Sequence, residues 1–269
     1  MNERRTASKT GESRAGMSTL AWLVLIFLLL PSLITIPVSF GDVHEMVFPP
    51  KHWSFDLYRQ FFVDPEWLQS TWLSVRVALW TTGISLVLGV PAAYGLVRGK
   101  FRGQRWLGFF LLSPIMVPAI VAALGLYIYF LKLGISGGEL RLVLGLSIVT
   151  MPYVIVTAMA GLRHVDANLE AAATIMGAGP VTILLRVTLP QLRSSIIGGA
   201  LFAFLMSFDE VTIAWFVSRA GYTTLPIKMF SSIKWEVSPV LAAISTMLTL
   251  ISCVICLLVT RLQRAETGK

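Results

Sequence analysis

Two adjacent acids, Asp209 and Glu210, are the only ionisable side chains in the apolar run from Ser194 to Ser218. A carboxylate at that depth in a hydrocarbon layer costs about 2.5 kcal/mol or more unless it faces water, a cation or a basic partner. Neighbouring helical residues point about 100° apart, so the two acids cannot both face the same side of the helix. Either they form ion pairs within the protein or with another subunit, or one of them attracts a cationic solute. The basic residues considered for such pairs are Arg76, Lys132 and Arg219.

A moderately polar segment, residues 163–193, separates two uncharged apolar runs. Gly177 and Gly179 tolerate the left-handed backbone that ends a helix, and Pro180 suits the first position of the next helix. We therefore predict two short helices that meet at an angle, each with one buried apolar face. The predicted faces consist of Leu169, Ala172, Ala173 and Met176 on the first helix and Leu185, Leu189 and Leu192 on the second.

Other chemistry is not indicated by the sequence. The three histidines, His44, His52 and His164, have no metal-ligand spacing. The glycine-rich run at residues 95–100 has one residue too few for a phosphate loop, and Phe101 replaces the required Ser or Thr. No catalytic signature is present, so we predict a chain that is not an enzyme and that binds no metal or cofactor itself.

These residues are positioned by apolar helices. The chain has 269 residues, of which 55% are hydrophobic and 13% charged, against about 25% charged in an average soluble domain. About 20 apolar residues cross a bilayer, so the sequence predicts an all-α polytopic membrane protein with six transmembrane helices within residues 17–262, flanked by a disordered tail at 1–16 and a short tail at 263–269. The predicted spans are residues 17–41, 77–97, 106–131, 142–162, 194–218 and 237–260.

Basic residues predict the orientation of these spans. With the N-terminus inside, inner segments carry 14 Lys and Arg and outer segments seven, as the positive-inside rule requires. Both termini and residues 163–193 are then cytoplasmic. The net charge of +8 largely reflects this asymmetry. We therefore expect the basic residues to face membrane lipid, and we expect no binding of nucleic acid.

The polar segment resembles the EAA loop of binding-protein-dependent ABC importer permeases. That pattern reads EAA, three residues, Gly, nine residues, then Ile, any residue, Leu and Pro. Gly177 is followed nine residues later by Val187, Thr188, Leu189 and Pro190. Counting back from Gly177, the motif's Glu falls on Ala171, and the acid of this chain lies one place earlier, at Glu170.

Later motifs are similar to the second permease subunit of spermidine/putrescine importers. They are SFDEVTIAWFVS at residues 207–218, TLP at 224–226 and VSP at 237–239. The resemblance implies a type I ABC importer permease of the bacterial inner membrane. It implies as partners a second, non-identical permease, two ATPase subunits that carry ATP and Mg, and a periplasmic or extracellular binding protein.

The resemblance also implies two sets of site residues. Residues 163–193 would form a coupling loop that lodges in an ATPase groove. The expected coupling residues are Glu170, Ala171, Ala172, Ala173, Met176, Gly177, Ala178, Gly179, Pro180, Leu189 and Pro190. A polyamine path needs carboxylates and aromatic faces. The hypothesised path residues are Asp209, Glu210, Tyr127, Tyr129 and Trp215.

Alternatives remain at this point. The same class of permease serves opines, amino-acid derivatives, phosphonates and ferric iron. A secondary transporter would need inverted repeats and a complete binding site within one chain. An intramembrane enzyme would need a catalytic pair of suitable geometry inside the spans.

Overall fold

The computed structural model describes residues 3–42, 47–135, 137–219, 221–235 and 238–267, and within these ranges the regular secondary structure is helical, with no strand. The helices are α1 (Glu3–Val38), α2 (Asp56–Val63), α3 (Pro65–Arg98), α4 (Gln104–Leu112), α5 (Ala119–Lys132), α6 (Glu139–Leu162), α7 (Ala167–Ile175), α8 (Pro180–Ile183), α9 (Leu189–Gln191), α10 (Arg193–Asp209), α11 (Thr212–Val217), α12 (Leu225–Trp235) and α13 (Val240–Thr267). A 3₁₀ turn, Ser113–Met116, follows α4, and a π-helical turn, Leu184–Thr188, joins α8 to α9.

The chain divides into two compact units, the first comprising residues 1–65 and 237–269 and the second residues 66–236. In the first unit, α13 packs beside both α1 and α2. The loop after α1 is tied to α2 by a 2.6 Å hydrogen bond between the Ser39 and Tyr58 hydroxyls. The Phe40 ring lies 5.5 Å from the Tyr58 ring and 5.3 Å from the Phe55 ring, centroid to centroid.

The central helix of the second unit is α6, which contributes to two hydrophobic clusters. Its first half packs with α5 and α11, and its second half packs with α3 and α10. Between the clusters, the Ser85 and Thr150 hydroxyls form a buried 3.0 Å hydrogen bond from α3 to α6. The second cluster lies at the C-terminal ends of α3 and α6, beside the segment that follows α6. Its fully buried members include Ile155, Leu162 and Leu192.

The structure breaks the predicted span at residues 106–131 beside its prolines. The helical pair Gln104–Met116 and Ala119–Lys132 is bent by 108°. Val117 is extended, with φ −83° and ψ 128°, as expected for a residue that precedes proline. Pro118 has no N–H to continue the helix, so the chain restarts at Ala119.

The predicted span at 194–218 is also interrupted. Helix α10 ends at Asp209, Glu210 is extended with ψ 109°, and α11 begins at Thr212. At its other end, α10 is bent by 83° from the preceding helical stretch Pro180–Gln191. The boundary predicted at residue 193 between polar segment and span is therefore close to a real bend.

Three of the described helices are long and apolar enough to cross a bilayer, namely Met17–Val38, Pro65–Arg98 and Glu139–Leu162. The two bent pairs reach the same criterion if each is one span, and α13 contributes a shorter apolar stretch, Val240–Ile255. The chain is thus a multi-pass helical membrane protein, and the count of six spans stays a prediction.

At the N-terminus, the structure has helix from Glu3 where the sequence predicts a disordered tail. The first proline of this segment is Pro31, so residues 3–16 contain no helix breaker stronger than glycine.

Candidate functional site

The first candidate region is the coupling segment, residues 163–193. Helix α7 begins after Asp166, whose carboxylate accepts a 2.9 Å hydrogen bond from the Asn168 N–H. The helix ends at Ile175, and Gly177, the residue after its C-cap Met176, has φ +85°. The Ala178 N–H donates to the Ala173 carbonyl at 3.0 Å, which completes a Schellman-type C-cap. The predicted helix end at Gly177 is confirmed.

The second half of the coupling segment starts as predicted at Pro180, the first residue of α8. Gly179 differs from the prediction, because its φ of −73° is an ordinary extended value. The left-handed residue of this connection is therefore Gly177 alone. After α8, the π-helical turn Leu184–Thr188 inserts an extra residue into the helical repeat.

Within this chain, the predicted apolar faces of the coupling segment are only partly buried. In α7 the buried residues are Ala173, as predicted, and Glu170, whereas Leu169, Ala172 and Met176 are exposed. The reason is that the Glu170 carboxylate has partners inside the protein, and these turn its side of α7 inward. In the second half, Leu192 is buried, Leu189 is half-buried and Leu185 is exposed. The π-helical turn explains this difference, since it shifts the register on which the predicted stripe depended.

The partners of Glu170 come from two distant parts of the chain. Its Oε2 lies 3.0 Å from Arg98 Nε, and its Oε1 accepts a 2.9 Å hydrogen bond from the Thr188 hydroxyl. Arg98 Nη2 also donates to the carbonyls of Leu162, at 3.3 Å, and Val165, at 2.8 Å. Glu170 is 8% exposed and Thr188 is fully buried. These contacts join the end of α3, the end of α6, α7 and the π-helical turn.

Sequence reasoning missed Arg98 and Thr188 as site residues. Arg98 was one of several basic residues expected in an inner loop, and its spacing from Glu170 gives no local signal. One signal was present in the sequence. Glu170 lies one position before the Glu of the EAA pattern, and this shift indicates that its carboxylate faces a different side of the helix.

The outward side of the coupling segment is an exposed apolar face, defined here as Leu169, Ile175, Met176, Val181 and Leu185. Ile175 and Met176 are 87% and 82% exposed, respectively. Exposed apolar side chains grouped on a segment that is otherwise moderately polar are typical of an interaction site. A partner that covers this face would contact several of the residues named in the sequence analysis, including Met176 and the backbone at Gly177.

The second candidate region is the acidic break, residues 209–211. Asp209 is the exposed last residue of α10. Glu210 is half-buried, and its Oε1 accepts a 3.0 Å hydrogen bond from the Ile213 N–H in the first turn of α11. Arg76, a considered ion-pair partner, pairs instead with Glu139 at 2.7 Å. Among the described residues neither acid of the break forms an ion pair. Glu210 is therefore a helix cap, and Asp209 is the acid that remains available.

The predicted aromatic residues lie on helices that pack together but have different surroundings. Helix α11, which carries Trp215, packs against α5, which carries Tyr127 and Tyr129. The buried Arg141 guanidinium lies 5.0 Å from the Tyr127 ring centroid, so one face of that ring already holds a cation. Trp215 packs edge-on against Phe230 at 5.8 Å and remains 45% exposed.

Arg141 is a further residue that the sequence analysis did not identify as part of a site. It is 5% exposed near the start of α6 and is held between the rings of Tyr127 and Phe130. Tyr129 is 54% exposed, with its ring 6.1 Å from that of Phe130. Among the described residues, no group of three or more His, Cys, Asp or Glu side chains is placed to hold a metal ion.

Long apolar helices that are interrupted at a proline and at an acid are typical of a multi-pass membrane protein, in which irregular backbone is tolerated where it is buried in protein or lines a water-filled cavity. Residues 85–265 match the family described as binding-protein-dependent transport system inner membrane component, and the chain belongs to that family.

Individual relatives agree with this assignment. The chain is 34% identical over 229 residues to the putrescine transport system permease protein PotI of Escherichia coli (strain K12), covering 82% of this chain and 81% of the relative. It is 32% identical over 232 residues to the spermidine/putrescine transport system permease protein PotC of Haemophilus influenzae, covering 86% and 90%, respectively. The resemblance to binding-protein-dependent permeases is confirmed.

Solved structures show the same fold. A chain of a bacterial ABC transporter involved in the import of the acidic polysaccharide alginate superposes with a TM-score of 0.73 at 17% identity, covering 96% of this chain and 97% of that one. A chain of the MetNI methionine ABC transporter, in an inward-facing conformation, gives a TM-score of 0.61 at 16% identity, covering 74% and 94%. The all-helical importer-permease fold is therefore common to chains of very different sequence.

Proposed function

We propose that this chain is a permease subunit of an ATP-driven, binding-protein-dependent importer of polyamines. The observation that carries the proposal is the similarity to the putrescine and spermidine/putrescine permeases over more than four-fifths of the chain. ATP and Mg would bind to two separate ATPase subunits. A second, non-identical permease and an external binding protein would complete the importer.

The acidic break supports a cationic substrate. Asp209 is an exposed carboxylate at the C-terminal end of α10, where the helix dipole adds a partial negative charge. Both features attract an ammonium group. Trp215 and Tyr129 keep exposed ring surface that can bind a cation. Glu210 and Tyr127 contribute less directly, because each already has an intramolecular partner.

The coupling segment supports the ATP-driven mechanism. In this proposal both termini and residues 163–193 face the cytoplasm of a bacterial cell, as the distribution of Lys and Arg requires. The exposed apolar face binds a groove of an ATPase subunit. ATP-driven closure of the ATPases then moves α7, and the bend before α10 transmits this motion to the spans, which alternate between outward and inward access.

Uptake of radiolabelled putrescine and spermidine tests the proposal, in cells that lack other polyamine importers and express this chain with its binding protein, partner permease and ATPase. We expect Asp209→Asn to lower uptake several-fold while the complex assembles normally, since the amide has no charge to attract an ammonium group. Asp56→Asn is the matched control, because Asp56 is an acid in the first turn of α2, far along the chain from the break. Equal uptake by Asp209→Asn and wild type would remove Asp209 from the path.

A second relative suggests a different solute: the molybdenum transport system permease protein ModB of Mycobacterium bovis is 33% identical over 173 residues, covering 59% of this chain. The buried cation Arg141 would suit an anionic solute better than a polyamine. Uptake of labelled molybdate, phosphonate, opine or ferric iron by the same cells, with no uptake of polyamine, would replace the proposed substrate but retain the permease assignment.

A further inference from the structure

We propose that Arg98, Glu170 and Thr188 form a latch that makes the coupling segment move as one body with the ends of α3 and α6. In this role Arg98 and Glu170 are positioning residues, and Glu170 is not an ATPase contact. The inference rests on the proposed docking of the coupling segment on an ATPase.

The strength of the latch follows from its surroundings. The Arg98 and Glu170 side chains are 23% and 10% exposed, and an ion pair largely removed from water is weakened less by solvent than one on the surface. Arg98 also donates to carbonyls at the C-terminal end of α6, where the helix dipole favours a cation. The Thr188 hydroxyl donates a hydrogen bond to the second carboxylate oxygen of Glu170. Each oxygen of this acid therefore has an internal partner.

Little else holds α7 in place. Within α7 the buried residues are Glu170 and Ala173, so the apolar contribution of this helix is small. Both ends of the helix are short non-helical connections, residues 163–166 before it and the left-handed Gly177 after it. Without the latch, a force applied at the exposed apolar face would rotate α7 about these connections and would not reach α3.

The latch also fixes which side of α7 faces outward. Glu170 points into the protein, whereas Ile175 and Met176 are more than four-fifths exposed. Holding the acid inward therefore presents the apolar side chains to a partner. This arrangement explains why the acid can lie one position before the place that the EAA pattern gives it.

The test uses the whole importer, reconstituted in lipid vesicles with its ATPase, partner permease and binding protein, and measures solute moved per ATP hydrolysed. We expect Arg98→Gln and Glu170→Gln each to lower this ratio roughly 2- to 30-fold, the range found when a mutation alters coupling between sites. ATP hydrolysis and co-purification of the ATPase remain near wild type. The double variant should be no worse than either single variant, because both remove one interaction. Arg98→Lys, which keeps the charge, should recover part of the ratio.

Arg102→Gln is the matched control, an exposed basic residue of the loop that follows α3, and should leave the ratio unchanged. Hydrogen exchange provides a second readout for any variant obtained in low yield. Amides of α7 should exchange faster in Glu170→Gln, while those in the middle of α6 stay protected.

Three results would overturn the latch: an unchanged ratio in both single variants, additive losses in the double variant, or loss of ATPase binding in Glu170→Gln but not in Arg98→Gln. The last result would make Glu170 a direct ATPase contact. If the wild-type chain itself retains no ATPase, the proposed docking fails, and with it the latch's role in coupling. If the variants retain the ATPase and move as much solute per ATP as wild type, the latch is ruled out while the proposed docking stands.

Discussion

At the residue scale, Asp209 and Glu210 have the same charge but different surroundings. Glu210 accepts a hydrogen bond from the backbone N–H of Ile213, whereas Asp209 is exposed at the end of α10. The sequence predicted that the two acids could not share one direction, and the structure separates them in this way. The division gives each acid a different expected mutant phenotype.

Replacing Glu210 should affect stability more than substrate attraction. Glu210→Ala removes the cap of α11 and should cost about 1 kcal/mol, seen as a lower midpoint of thermal unfolding in detergent. Glu210→Gln keeps an acceptor oxygen and should retain both the midpoint and most polyamine uptake. A loss of uptake in Glu210→Gln as large as that in Asp209→Asn would show that both charges act on the substrate.

Some features of the candidate sites could be predicted from the sequence, namely those that depend on one residue's own conformational limits and not on a distant contact. The helix end at Gly177 and the start at Pro180 follow from the conformational limits of those residues alone. The inward orientation of Glu170 depends on Arg98, 72 positions earlier, and no periodicity within α7 contains that information. The sequence therefore predicted the ends of α7, but not which of its residues pack inside this chain.

At the element scale, α6 and α10 lie unusually close together. A Cβ built on Gly161 would lie 2.6 Å from Ser195 Cβ and 2.9 Å from Leu192 Cδ2. Real Cβ atoms do not approach other atoms this closely, so glycine allows the two helices to pack here. The same principle governs small residues between membrane helices generally.

We expect Gly161→Ala to destabilise the protein by about 1–3 kcal/mol, because the added methyl group forces α6 and α10 apart. Gly198→Ala is the matched control on α10, since its added Cβ would meet nothing within 4 Å. Thermal unfolding of both variants in the same detergent gives the comparison. Equal midpoints would mean that the close approach of the helices is not needed for stability.

Helix breaks were harder to predict than helices. The apolar runs of residues 106–131 and 194–218 are long enough to span, but their length does not show where the helix within each run is interrupted. The structure breaks the first beside Pro118 and the second after Asp209. Proline was a visible warning in the first run. In the second run, Glu210 is extended and its side chain caps the next helix. Amino-acid composition gives no sign of this hydrogen bond.

At the scale of the whole molecule, the chain leaves much apolar surface uncovered, as expected of a subunit that lies in lipid and binds other subunits. The exposed apolar face of the coupling segment differs from the lipid-facing surface, because it belongs to a moderately polar stretch between apolar runs. Its expected partner is the ATPase subunit.

We expect Ile175→Glu and Met176→Glu to reduce co-purification of the ATPase at least several-fold, because each buries a charge in an apolar contact. Asn168→Asp is the matched control, since it adds the same charge to an exposed position in the first turn of α7, where a negative charge is favourable. Pull-down of the ATPase from detergent extracts measures the effect. Full retention by both Glu variants would contradict docking at this face.

The contact between Arg98 and Glu170 has a consequence for biosynthesis. Arg98 leaves the ribosome 72 residues before Glu170, an interval of about 4 to 14 seconds at 5–20 residues per second. The ion pair can therefore form only after α6 and the start of α7 have been synthesised. Because Arg98 ends α3 and Glu170 follows the end of α6 by eight residues, the two side chains can meet only in a chain whose α3 and α6 end on the same side of the bilayer.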